Sequence, residues 1–207
     1  MIFLDFQNTF AHLRVIPKIE IKKRFPNFDW NALTRWQKKG YIVKIRNGHY
    51  RFSQQKIRGD LDLFFIANQI YRPSYISLES ALKYYNLIPE GVFTITSITT
   101  KKTQKISTPD AAFAYRSLRK NLFFGYRFEE IGEYRFKIAT PAKALLDFLY
   151  LNPHIETKED FFEWRLNVFE LQSQISWAHF EAYLELFDSR ALTERAARFK
   201  TFIHDNN

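Results

Sequence analysis

Cysteine is absent from the 207-residue chain, which excludes disulfides and thiolate metal sites and fits a cytoplasmic protein. Glycine is scarce, at six residues with none in a Gly-x-Gly array, so a phosphate-cradling loop is excluded. Neither a Gly-x-Ser-x-Gly elbow nor a His-Glu-x-x-His pair occurs, which removes two common hydrolase signatures. No apolar run approaches the roughly 18 residues of a membrane span, so no membrane partner is expected. The first residues lack the basic start and long apolar segment of a signal peptide. There is no internal repeat and no low-complexity segment. No cofactor is expected, and the chain reads as a non-enzyme.

Core material and positive charge are plentiful. Aromatic residues make up 18% of the chain, and the net charge is +9. That charge is unevenly placed. Residues 1–58 hold 13 Lys and Arg against Asp5, Glu20 and Asp29, a net of +10, which leaves −1 for residues 59–207. One basic module joined to a near-neutral one points to a reader of a polyanion with a second activity attached.

The basic module has a recognisable pattern. Residues 2–13 read as a short apolar helix, Val15 and Ile16 as a brief extended piece, and 18–25 as a second helix opened by Pro17. Pro26 and Asn27 supply a tight turn. A third helix, 30–39, is capped by Asp29 or Asn27 and stopped by Gly40. Its inner face is Trp30, Leu33 and Trp36, and its outer face is Asn31, Thr34, Arg35 and Lys38. Tyr41 to Phe52 alternates about Asn47-Gly48, a strong hairpin signal. Three helices and a basic hairpin form a winged helix-turn-helix pattern, in which the third helix enters the major groove of double-stranded DNA. Arg35 and Asn31 have side chains able to read guanine and adenine edges. Lys38, Lys39, Lys44, Arg46 and Arg51 suit phosphates, and Thr34 and His49 complete the candidate DNA-binding set.

A polar connector, 53–59, follows. Asp60 to Tyr71 is a strongly apolar helix. Pro73 imposes an extended stretch, Ser77 stands as the cap of a helix through Tyr85, and Asn86 and Pro89 end it. Phe93–Thr100, Thr103–Thr108 and Ala112–Arg116 read as strands, and Asn121–Glu130 with Glu133–Ala139 as a hairpin turning at Gly132. Thr140-Pro141 opens a helix through Leu151. Thr157 caps another through about Leu166, and helices near 176–188 and 189–203 close the chain. The expected fold is α+β: a winged helix-turn-helix over 1–58, then a mixed domain over 59–207. That domain is expected to hold a mainly antiparallel sheet flanked by helices, with a helical C-terminus.

Two charged groups in the second domain invite functional readings. Lys101, Lys102 and Lys105 are candidates for an additional nucleic-acid or partner contact, against the plainer role of lysines protecting an edge strand. A metal-dependent nuclease needs clustered carboxylates. Glu129, Glu130 and Glu133 lie near the hairpin, and Glu79 and Asp147 lie on helices. Adjacent Glu129 and Glu130 face opposite sides of a strand, and Asp147 is placed to pair with Lys143, one turn earlier. No metal site is expected.

Five blocks in order carry a family resemblance: Pro73 to Leu82 (PSYISLESAL), Ile88-Pro89-Glu90, the Thr/Ile strand with Thr100 to Thr103 (TKKT), Leu122 to Gly125 (LFFG), and Ile138 to Asp147 (IATPAKALLD). With the N-terminal winged helix, they make the chain resemble the AbiEi-type antitoxins of type IV toxin–antitoxin systems over about residues 1–170. Ala142 departs from the pattern, which carries an acidic residue there. The resemblance implies an autorepressor that binds operator repeats upstream of its own operon. It also implies an antitoxin domain, residues 59–207, that counters an AbiEii-type, nucleotidyltransferase-like toxin without needing a stable complex with it, as part of phage defence. The alternative is a plain winged-helix regulator with a ligand-sensing or dimerisation domain. A buried pocket with convergent polar groups in residues 71–140 favours that alternative. A metal held between carboxylates favours a nucleic-acid enzyme.

Overall fold

The computed structural model describes residues 2–89, 91 and 93–206; Glu90, within the second block above, lies outside them. The chain is a mixed α+β protein built around two hydrophobic clusters.

The first cluster is almost entirely aromatic and aliphatic. It is formed by α1 (Phe3–Phe10), β1 (Ile16–Pro17), α2 (Lys18–Arg24), α3 (Asn31–Lys38), β2 (Ile42–Arg46) and β3 (His49–Phe52). Phe6 and Phe10 lie one turn apart on α1, so both rings face inward, with centroids 4.9 Å apart. Trp36 of α3 lies 4.8 Å from the Phe6 ring, as its inner-face assignment required. Trp30 is only half-buried and carries the Lys18 ammonium 4.3 Å above its ring. Gly40, at φ +71°, closes α3: its N–H donates to Gln37 O and the Tyr41 N–H to Trp36 O, which satisfies two end carbonyls. The strands pair antiparallel in the order β1-β3-β2, turning at Asn47-Gly48. α1 is shorter than expected, because the chain turns at Ala11 to reach β1.

The second cluster begins at α4 (Asp60–Ile70). A six-stranded sheet follows, from β4 (Ser74–Ile76), β5 (Thr94–Thr99), β6 (Gln104–Ser107), β7 (Ala112–Ser117), β8 (Tyr126–Ile131) and β9 (Tyr134–Ala139). Their order is β6-β7-β5-β4-β9-β8. Three of the five strand pairings among the described residues are antiparallel, as expected, but the sheet is mixed: β5 pairs parallel with β7, and β4 parallel with β9. The cause is β4, the extended stretch imposed by Pro73, which enters the middle of the sheet and draws distant strands to both sides. Residues 120–122 form a 3-10 turn where a strand was expected, since Leu122 is buried there and Gly125 takes a left-handed φ of +69° before β8 begins.

Six more helices follow among the described residues: α5 (Leu78–Tyr84), α6 (Pro141–Leu151), α7 (Lys158–Glu163), α8 (Val168–Gln174), α9 (Trp177–Phe187) and α10 (Arg190–Asp205); α5 and α6 lie on the sheet, α9 and α10 pack on α6, and α7 packs on α10. Thr140 caps α6 and Thr157 caps α7, as expected; Asp160 completes a capping box with Thr157, and α7 ends at Glu163, short of the expected Leu166. α8 was not anticipated; Asn167 caps it and Leu171 anchors it. α6 packs against α5, α9 and α10, so nearly all its side chains are buried. Arg195 of α10 satisfies the end of α6, donating to Leu149 O at 2.9 Å and Pro153 O at 3.1 Å.

Ser77 does not cap α5. Its hydroxyl donates to Asp147, and the orphan N–H of Ser80 is accepted by Thr96 Oγ1 of β5, at 3.0 Å. The same Thr96 hydroxyl donates to Ser77 O. This clasp holds Leu78 at a φ of +57°, a left-handed conformation that costs a non-glycine residue about 1–2 kcal/mol.

The two clusters meet along a bonded seam. Val15 and Ile45 leave the first group of elements to join the second cluster. Arg14 pairs with buried Asp62, and Tyr134 donates to His12 O at 2.8 Å. Among the described residues, no helix is long and apolar enough to cross a membrane.

Candidate nucleic-acid interface

α3 turns one polar face to solvent. Asn31, Thr34, Arg35 and Lys38 recur at spacings of three and four and are all exposed, with Lys39 just beyond. Ala32, Leu33 and Trp36 hold the opposite face in the core. Arg35 donates to Asp29 at 2.7 Å, and that bond, with the Asn31 N–H, holds the Asp29 carboxyl below its usual range. Both side chains are more than half exposed, at 59% and 56%, so the tether is weak and solvent competes for it. Lys44 of β2 is exposed as well.

The other three hairpin candidates turn inward, contrary to expectation. Arg51 forms a bidentate pair with Asp110, at 2.9 and 2.5 Å, and also donates to Phe52 O and Gln55 O. With side-chain exposures of 11% and 8%, this pair joins β3 to the loop before β7 and is not free for a phosphate. Arg46 donates to Ile70 O at the end of α4, 3.0 Å away. His49 is half-buried, and burial, with Arg46 and Arg72 adding, keeps its imidazole below the ordinary range. For the two arginines the physical reason is shared: this side of the hairpin faces the second cluster, where the Ile70 carbonyl and the Asp110 carboxylate take their donors, whereas the His49 ring bonds to Asn47 O in its own turn.

Lys101 and Lys102 are exposed at the turn before β6, and Lys105 lies on that edge strand. The turn stands beside the hairpin. Tyr71 donates to Lys102 O at 2.9 Å, and its ring carries the Lys101 ammonium at 5.5 Å and the Arg46 guanidinium at 5.7 Å. One tyrosine thus links two basic segments from opposite sides of the seam. Nothing in the local pattern around Tyr71 announces this. Lys105, on an outer strand, fits the edge-protecting role.

Among the described residues no three His, Asp or Glu side chains gather closely enough to hold a metal ion. Glu129 pairs with Arg127 at 2.5 Å. Asp147 pairs with Lys143, both fully buried. Asp147 also accepts from Tyr75 at 2.9 Å and Ser77 at 2.8 Å, while the Lys143 ammonium donates to Tyr75 Oη at 2.9 Å. Burial pushes the Asp147 carboxyl up and the Lys143 ammonium down, and each charge opposes the shift of the other. Sealed from solvent, the network fastens α6 to β4 and serves the fold.

A cleft of about 460 Å³ opens between α4, the start of β4 and the β8–β9 hairpin. Compared with known proteins, the chain matches no family model and no curated protein.

Proposed function

We propose that residues 3–52 are a winged helix-turn-helix that binds double-stranded DNA, with α3 in the major groove and the β2–β3 hairpin beside it. The order helix, strand, helix, helix, strand, strand is that of a winged helix, with β2 and β3 as the wing. The exposed face of α3 carries the reading: Asn31 and Arg35 present base-reading side chains, Lys38 and Lys39 flank them as phosphate contacts, and Lys44 adds another from the wing. Lys101 and Lys102, beside the hairpin, extend the basic surface. Titration of a labelled duplex against the full chain at several salt concentrations tests this. Several phosphate contacts give a steep fall of affinity with salt, about 0.9 in log–log slope for each one. A flat salt response discards the reading.

The resemblance to AbiEi-type antitoxins carries the proposal further, to repression of its own operon and neutralisation of a nucleotidyltransferase-like toxin. The growth of cells expressing the neighbouring toxin-like gene tests that step. Rescue by the full chain, and equally by a chain altered at Arg35, Lys38 and Lys44, places neutralisation in the second part of the molecule. No rescue by either, with an active toxin, leaves a regulator alone. The cleft supports that second reading, since it brings polar groups together in the region where a ligand-sensing regulator needs them.

A further inference from the structure

β4 and β9 pair in parallel at Ile76 and Ile138 alone. Ahead of that point the strands part. Asn68 of α4 fills one position in the gap, its Oδ1 accepting the Lys137 N–H at 2.6 Å. This contact fixes the amide orientation and leaves its other end, Nδ2, without a protein partner. The same is true of Ser74 Oγ. Both side chains are buried, at 7% and 3% exposure, and both line the 460 Å³ cleft. A buried polar atom without a partner is unfavourable, and both of these belong to residues that line one cleft.

The remaining walls define an occupant. Arg72, Arg135 and Lys137 line the cleft against one carboxylate, Glu133, a balance of +2. Among the described residues none of the three cations takes part in an ion pair. Phe65 and Tyr134 pack together with ring centroids 5.1 Å apart and planes tilted by 51°, and Phe128 carries the Arg135 guanidinium 4.7 Å above its ring. Cations and a free amide donor select an acidic group, and the aromatic walls select a planar, apolar body. The volume falls in the range of small-molecule sites.

We propose that this cleft is a binding site for a small aromatic anion, whose acidic group, a phosphate or a carboxylate, is held by Arg72, Asn68 Nδ2 and Ser74. The seam passes through it, because Tyr134 is also the residue bonded to His12. Isothermal titration of the full chain with 5′-AMP, 5′-UMP and 4-hydroxybenzoate tests the site. At least one of these binds the wild type. Binding by the nucleotides alone assigns the phosphate, and binding by the benzoate alone assigns the carboxylate. Asn68→Asp keeps the acceptor that holds Lys137 and exchanges the donor for a charged oxygen. Arg72→Gln, at an exposed position, removes a cation without touching the core. Each weakens binding by about tenfold or more, while Arg190→Gln on α10 leaves it unchanged. If Asn68→Asp does not fold, Arg72→Gln carries the test alone. No heat from any probe at millimolar concentration means the cleft holds solvent only and overturns the proposal. Undiminished affinity in Arg72→Gln overturns it too.

Discussion

The two halves of the molecule treat polar groups in opposite ways. Every buried polar or charged side chain among the described residues, from Asp62 to Arg195, belongs to the second half. The core of the first half is apolar throughout, and its cations point outward or across the seam. A small helical unit with an apolar core is free to use its surface for recognition. The second half spends polar groups internally, on fastening α5 and α6 to the sheet. The same residue type therefore means different things on the two sides: Lys38 is available to a partner, whereas Lys143 is available to none.

The largest expected effect tests that contrast at its deepest point. Lys143→Met leaves the Asp147 carboxylate buried without its cation, and breaking such a pair costs about 3–5 kcal/mol. Lys143→Met combined with Asp147→Leu removes both charges and recovers much of the loss. Denaturant unfolding of the full chain measures both. A single variant no weaker than a surface change, or a double variant no better than the single, removes the buried pair from the account of stability. Gly125 belongs to this site too: a Cβ there would stand 3.0–3.1 Å from three carbons of the Lys143 stem, at a φ unsuited to a side chain.

How much of this the sequence announces depends on how local the cause is. Asn47-Gly48, Gly132, Gly40, Thr140-Pro141 and the Thr157 cap each act within a few residues, and the element ends they set fall where the pattern places them. Periodicity likewise separates Trp36 from Arg35 on α3. The misreadings are non-local. Ser77 has the composition of a cap, but Asp147, 70 residues later, claims its hydroxyl, and Thr96 caps in its place. Arg51 has the composition of a phosphate contact, but Asp110, 59 residues away, claims it. The Lys143–Asp147 pair was legible from its one-turn spacing, whereas Tyr75 joins it only through the sheet. The cleft had no local sign at all, because it comes from β4 and β9 separating.

Arg35 and Arg51 offer the next test, since the same change has opposite consequences on the two sides of the seam. Arg51→Ala strands Asp110 and removes charge-assisted hydrogen bonds worth about 1.5–3 kcal/mol, a loss read as a lowered denaturation midpoint. DNA affinity of the folded fraction changes little. Arg35→Ala leaves the midpoint where it was and weakens DNA binding, by about 1–3 kcal/mol at a site whose guanine it reads. Lys44→Ala weakens binding uniformly across sequences and lowers the salt slope by about 1. If Arg51→Ala acts on DNA and not on stability, the hairpin's inward face has been misassigned.

The smallest effect concerns His49, which sits where the two halves meet. Its imidazole is held below the ordinary range by burial first, with Arg46 and Arg72 adding and the Asn47 carbonyl opposing. A histidine depressed in the folded state is protonated more readily in the unfolded chain. The stability it contributes is therefore fully present above the unfolded value of about 6.5 and is lost as pH falls through the depressed folded value. The wild-type midpoint should decline as pH is lowered from neutrality through that window, and His49→Gln should flatten that part of the curve. The neutral ring adds no charge to the proposed DNA face at pH 7, so affinity in His49→Gln should match the wild type there. An unchanged pH curve in that variant would mean His49 is hydrated alike in both states. The inward turn of the hairpin would then rest on Arg46 and Arg51 alone.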